Sequence, residues 1–199
     1  MPSINLENNK SGFIHPHKVI LYISMASILM FFAITTSALL VKKGDIVSWE
    51  QFKLPSIFYI STVILVASSA LMHYSKNLYK EAKFTPSKIV MILSIAVALL
   101  FIFTQYLGFN NLTEIGMPLA GNASGSFIYV IVGAHALHIL GGLFFSFIIL
   151  AKSFIKKDDF KTKTIIPKRL LSLELLTMYW HFIDFIWIYL FIFFYFNYQ

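Results

Sequence analysis

The chain has 199 residues, 58% of them hydrophobic and 13% charged, with a formal net charge of +7 and no cysteine. A soluble domain of this length hides only about 70% of its surface, too little to cover 21 phenylalanines and the aliphatic residues among them, so the composition excludes an ordinary soluble globule. The lack of cysteine likewise excludes disulfides, thiolate-held iron–sulfur clusters and a cysteine-anchored haem.

About 20 apolar residues are needed to cross roughly 30 Å of hydrocarbon. Five stretches qualify: Val19–Val41, Pro55–Met72, Lys88–Leu107, Ser126–Ala151 and Leu170–Phe196. The expected fold class is therefore all-α, a polytopic bundle of five transmembrane helices. With no linker, composition shift or internal repeat, residues 1–199 are expected to form a single membrane domain. The residues ahead of the first span are too polar for the apolar part of a signal peptide, and that span is too long for one, so the start of the chain is expected to be retained.

The basic residues set an expected orientation. Of the 16 lysines and arginines, only Lys42, Lys43 and Lys53 fall on one side of the five-span arrangement. The N-terminal segment, the loop from Lys76 to Lys88 and the loop from Lys152 to Arg169 carry the others, which predicts a cytoplasmic N-terminus and an outer C-terminus. The same bias accounts for the positive charge without nucleic acid. On the outer side the longest loop is expected from Gly108 to Gly125; its Asn111-Leu112-Thr113 and Asn122-Ala123-Ser124 triplets match glycosylation acceptors, but nothing else points to a secretory route. Pro167 is expected to close the inner loop just before the last helix.

Ionisable side chains in hydrocarbon cost about 2.5–3.5 kcal/mol each on insertion scales, so they face a bundle interior and find partners. In the fifth span Glu174, Thr177, His181 and Asp184 recur at intervals of three and four and share one helical stripe. The fourth span carries His135 and His138, with Gly142 and Ser146 continuing the His138 row, and small residues in such a row let a neighbouring helix approach. The two spans are antiparallel, and a rise of 1.5 Å per residue brings His135 level with Asp184 and His138 level with His181. The expectation is thus a structural intramembrane polar network of His135, His138, Glu174, His181 and Asp184, arranged as two layers between the fourth and fifth helices. The rival readings are a haem bracketed by His138 and His181 and a proton-conducting stripe through Glu174, His181 and Asp184. Direct packing leaves little room for a macrocycle, and the other three spans offer almost nothing to extend a stripe. His73, His15 and His17 are expected at the interface.

Two strings carry a resemblance. "YWHFIDFIW", from Tyr179 through Trp180 to Trp187, resembles the Tyr-Trp-His-Phe-x-Asp-x-x-Trp signature of subunit III of the haem-copper cytochrome oxidases. "GSFIYVIVGAHALHILGG" is similar to that family's segment ending Gly-x-His-x-x-His-x-x-x-Gly. Glu174 falls where the family has a glutamate, Gln105 matches a family glutamine, and "LMHYS" resembles the histidine-rich end of a family helix. Longer members have seven helices, the first two set apart by a lipid-filled cleft; the five spans here correspond to the last five. The family's glutamate within the helix matching Val19–Val41 is absent.

The resemblance implies a non-catalytic subunit that binds no haem, copper or other metal itself and packs on the catalytic oxidase subunit I, with bound phospholipid expected. It implies a complex in which electrons from cytochrome c or quinol reduce oxygen to water with proton pumping, haem and copper being held by the partner subunits. A bacterial inner membrane is the expected location, with a mitochondrial inner membrane as the alternative. The alternatives are a subunit-III-like accessory of a nitric oxide reductase or quinol oxidase and, from another class, an independent proton-coupled membrane protein.

Overall fold

The structure, a computed structural model, describes residues 16–45, 54–117, 119, 123–155 and 165–198. These form five α-helices and, among the described residues, no strand: α1 Pro16–Asp45, α2 Ile57–Lys80, α3 Phe84–Glu114, α4 Ala123–Ile155 and α5 Ile165–Tyr198. All five are long and apolar enough to cross a membrane. His15, Asn122 and the basic stretch 156–164 lie outside the described residues.

Each helix outruns the apolar stretch that announces it, because hydropathy marks the hydrocarbon thickness whereas hydrogen bonding carries a helix on until something stops it. At the expected loop from Gly108, α3 instead runs on to Glu114. It ends in a Schellman motif: Met117 N–H donates to the Leu112 carbonyl at 3.0 Å and Gly116 N–H to that of Thr113 at 3.1 Å. Gly116 takes the left-handed position, φ +83°, that this motif requires. The same motif ends α2, with Lys83 N–H on the Leu78 carbonyl at 3.0 Å, but there Ala82 holds the left-handed position at φ 61°. Glu81 accepts from the Lys83 ammonium at 2.8 Å across this turn, and the hydrogen bond holds that lysine above its ordinary range. Pro167 sits inside the first turn of α5 rather than ahead of it, which costs nothing because N–H groups there have no intrahelical partner.

Two seams organise the packing. The antiparallel pair α2 and α3 closes on serines: Ser68 Oγ donates to the Ser94 carbonyl at 3.0 Å and Ser94 Oγ returns to that of Ser68 at 2.9 Å. One heptad away, Ser75 and Ser87 repeat the exchange at 2.9 and 2.8 Å. All four are buried. Small hydroxylic side chains let the backbones approach and satisfy themselves on the facing carbonyls, the usual device where lipid supplies no hydrophobic drive between helices. The second seam is α5, whose Leu173, Leu176, Trp180, Ile183, Trp187, Leu190 and Phe194 are buried at alternating steps of three and four. It packs on α1, α2 and α4, whereas α1, among the described residues, packs on α4 and α5 only. Ile23, Met30 and Ile34 of α1, Val63 of α2, Leu137 and Phe144 of α4 and Phe185 of α5 point outward and are largely exposed.

The ends of the bundle are tied by side chains that capture loose carbonyls. At the end carrying the α2–α3 turn, Lys88 donates to the Ser153 carbonyl at 2.8 Å and Arg169 to that of Lys152 at 2.7 Å. At the opposite end Lys43 donates to the Asn197 carbonyl, and the Tyr198 hydroxyl to that of Ser124, each at 2.8 Å.

Candidate functional site

The polar stripe of α5 faces α2, not α4. His181 Nδ1 shares a 2.7 Å hydrogen bond with the Ser69 hydroxyl, and its Nε2 lies 3.1 Å from His73 Nδ1. Asp184 is buried, with Ser69 also beside its carboxyl. Glu174 closes the stripe at the basic end, 3.2 Å from Lys80 of α2 and 3.8 Å from Lys18 of α1. His73, expected as a simple interfacial residue, is thus part of this α2–α5 contact.

The two expected layers between α4 and α5 are therefore corrected. The depths agree: the ring of His135 packs on Trp187, one turn from Asp184, and Tyr179 meets the His138 carbonyl, so the antiparallel register is close to that expected. The direction around the helix axis does not. His138 Nδ1 pairs with the carbonyl of Ala134 on its own helix at 2.7 Å, and what α5 offers α4 is the face bearing Tyr179, Trp180 and Trp187. The five residues do not form one network; they divide into an α5–α2 set and an α4 set.

Gly142 shows how closely α4 and α5 approach. A Cβ there would meet the six-membered ring of Trp180, with Cε3 at 2.9 Å, and Tyr179 Cε1 at 3.0 Å. Tyr179 then reaches across to donate to the His138 carbonyl at 2.8 Å. Ser146, further along the same row, is buried and turns its hydroxyl back on the Gly142 carbonyl at 2.8 Å. The small-residue row does admit the fifth helix, as its spacing predicts.

At the centre each of the five helices contributes a ring. Trp187 of α5 stacks on Phe58 of α2 at 6.2 Å, lies 5.1 Å from the His135 ring of α4, and takes Phe101 of α3 edge-on at 5.2 Å. Phe32 of α1 meets His135 at 6.2 Å. The indole Nε1 donates to Thr62 Oγ1 at 2.9 Å, which satisfies the one polar atom that so buried a tryptophan carries. His135 is wholly buried in this centre. Neither of its nitrogens, nor either amide atom of the buried Gln105, nor Trp180 Nε1, finds a hydrogen-bond partner among the described residues. Sequence reasoning missed Phe32, Phe58, Phe101 and Thr62, which look like any other residue of an apolar span. It also missed the serine heptads, although Ser61, Ser68 and Ser75 recur at intervals of seven.

His135 and Trp187 of this centre belong to the two motif-bearing helices, α4 and α5. The sequence model described as Cytochrome c oxidase subunit III matches residues 13–198. The chain belongs to the cytochrome c oxidase subunit III family. Among individual subunit III relatives, cytochrome c oxidase subunit 3 of Schizophyllum commune is 28% identical over 147 residues, 74% of this chain and 50% of its own length. That of Bacillus subtilis is 27% identical over 149 residues, 74% of this chain and 68% of its own. The probable cytochrome c oxidase subunit 3 of Mycobacterium bovis is 27% identical over 130 residues, 65% and 61% respectively. The chain thus spans half to two thirds of the length of these relatives. Within the family's signature string, Tyr179 and Trp180 line the α4 side of α5, His181 and Asp184 line the α2 side, and Trp187 touches both, so the motif spreads over both faces of the helix.

Proposed function

We propose that this chain is the non-catalytic subunit III of a respiratory haem-copper terminal oxidase, the cytochrome c oxidase of an aerobic electron-transport chain coupled to proton pumping. Its work is to stabilise the catalytic subunit I within a multisubunit complex in a bacterial inner membrane, N-terminus inside. The family match over residues 13–198 carries the reading. The placement of the histidines supports it: His138 pairs with its own helix, His135 packs between rings, and His181 is engaged with Ser69 and His73, so the pair weighed as a haem bracket faces two different helices. In this reading haem and copper belong to the partner subunits, cytochrome c or quinol donates electrons to the complex, and phospholipid covers the outward apolar residues.

Purification in mild detergent through a tag on the N-terminus, followed by a visible difference spectrum and identification of co-purifying chains, tests the proposal. Haem bands should arrive with a large subunit and vanish when this chain is isolated alone. Haem retained by the isolated 22.8 kDa chain would overturn the non-catalytic assignment, and a haem-free chain without companions would overturn membership of a complex.

A further inference from the structure

The contact between α3 and α4 is hydrogen-bonded at its two ends. At the basic end Lys88 donates to the Ser153 carbonyl; at the other, the Tyr129 hydroxyl donates to the Phe109 carbonyl at 3.0 Å and lies 2.9 Å from Thr113 Oγ1. Between these ties no hydrogen bond joins the two helices among the described residues, and it is there that four of the five orphaned polar atoms occur, those of Gln105 and His135. Stepping along the antiparallel pair from either tie brings Gln105 level with His135 to within about half a turn. Phe101, one turn before Gln105 and on the same face of α3, meets the His135 ring at 6.1 Å.

Gln105 is 2% exposed and His135 0%. Between them they present a carbonyl oxygen, an NH₂ group and two ring nitrogens, and none of these has a protein partner among the described residues. An amide left unpaired in an apolar surrounding costs several kcal/mol, and native structures satisfy nearly all such groups with protein or ordered water. Trapped water typically makes about three hydrogen bonds to buried polar groups that lack other partners. A neutral imidazole has one donor and one acceptor and a primary amide has both kinds, so a water lodged between Gln105 and His135 can donate to one and accept from the other.

We propose that α3 and α4 enclose an internal hydration site, occupied by one or two water molecules and held by Gln105 and His135 beside Trp187. The water supplies the hydrogen-bonded tie that the middle of this helix pair otherwise lacks. It also selects the tautomer of His135, the residue around which the rings of α1, α3 and α5 gather.

Millisecond X-ray radiolysis in H₂¹⁸O, applied to the full-length protein in native membranes and in lipid nanodiscs, tests this because hydroxyl radicals form at bound water and mark the residues beside it. Phe101 and Trp187, both buried, should carry ¹⁸O label at rates comparable to exposed aromatics. A Gln105→Leu, His135→Leu double variant should lose this label at least tenfold while Tyr106, which is exposed, keeps it. Wild-type Phe101 and Trp187 that remain unmarked while Tyr106 is labelled would overturn the proposal, as would label that persists in the double variant. Should the double variant fail to fold, the wild-type pattern decides alone. A direct Gln105–His135 hydrogen bond is distinguished by the absence of label together with a coupling between the two single substitutions.

Discussion

Gly142 and Gly133 lie on the same helix, and replacing each by alanine should move stability in opposite directions. A Cβ at Gly133 meets nothing within 4 Å, whereas at Gly142 it falls within 3.0 Å of Trp180 and Tyr179. Trp180 is 3% exposed, so its ring has no free space to swing into, and α5 must move outward by roughly the missing few tenths of an ångström to an ångström. Such overpacking costs typically 1–3 kcal/mol, and the movement also stretches the Tyr179 hydrogen bond to the His138 carbonyl, now at 2.8 Å. Gly133→Ala meets no such obstacle and gains up to about 1 kcal/mol from relief of glycine's entropy in a helix. At about 3 °C per kcal/mol for a chain of this size, thermal unfolding in mild detergent should place Gly142→Ala roughly 3–9 °C below wild type and Gly133→Ala at or slightly above it. Shrinking the obstacle by Trp180→Leu in the Gly142→Ala background should recover part of the loss relative to Trp180→Leu alone. Equal melting temperatures for the two alanine variants would refute the argument that the α4–α5 approach depends on the missing side chain at position 142.

Further expectations follow from the seams and caps. Ser68→Ala removes hydrogen bonds but not closeness and should cost only about 0.6–1.7 kcal/mol, whereas Ser68→Leu forces α2 from α3 and should cost 1–3 kcal/mol more; denaturant titration of the two variants separates size from hydrogen bonding. Ala82→Gly relieves a left-handed residue that costs about 1–2 kcal/mol while adding about 0.5–1 kcal/mol of backbone entropy, so the melting temperature should rise slightly, and a fall would contradict the Schellman assignment. Glu174→Gln removes both ion pairs, but the partners are about a third exposed or more, so the expected loss is under about 1 kcal/mol and should disappear in high salt; a large, salt-independent loss would mean that this carboxylate does more than pair with lysines.

The number of helices, their order and the depth of each polar residue were legible in the sequence. Length, hydropathy and a fixed rise per residue are one-dimensional quantities, and the pairing of His135 with Trp187 falls within a turn of the depth that counting predicts. Helix ends were less legible. Gly116 advertises its left-handed cap, while Ala82 does the same work with nothing in its identity to reveal it. The row of Gly142 and Ser146 correctly foretold a close approach, since a glycine in an apolar helix is a gap waiting for a neighbour.

What the sequence alone determined is a membrane-spanning, five-helix chain of the subunit III family, with α5 carrying two chemically distinct faces. Only the tertiary structure decided which neighbour each face meets. Spacing shows that Glu174, His181 and Asp184 share a stripe, but a stripe has no compass. The stripe turns to α2, where Ser69, His73 and Lys80 receive it, because Trp180 and Tyr179 of the same signature fill the gap that Gly142 leaves on α4. Direction around a helix axis is settled by the competition of all neighbours for one face. That competition exists only once the helices are packed.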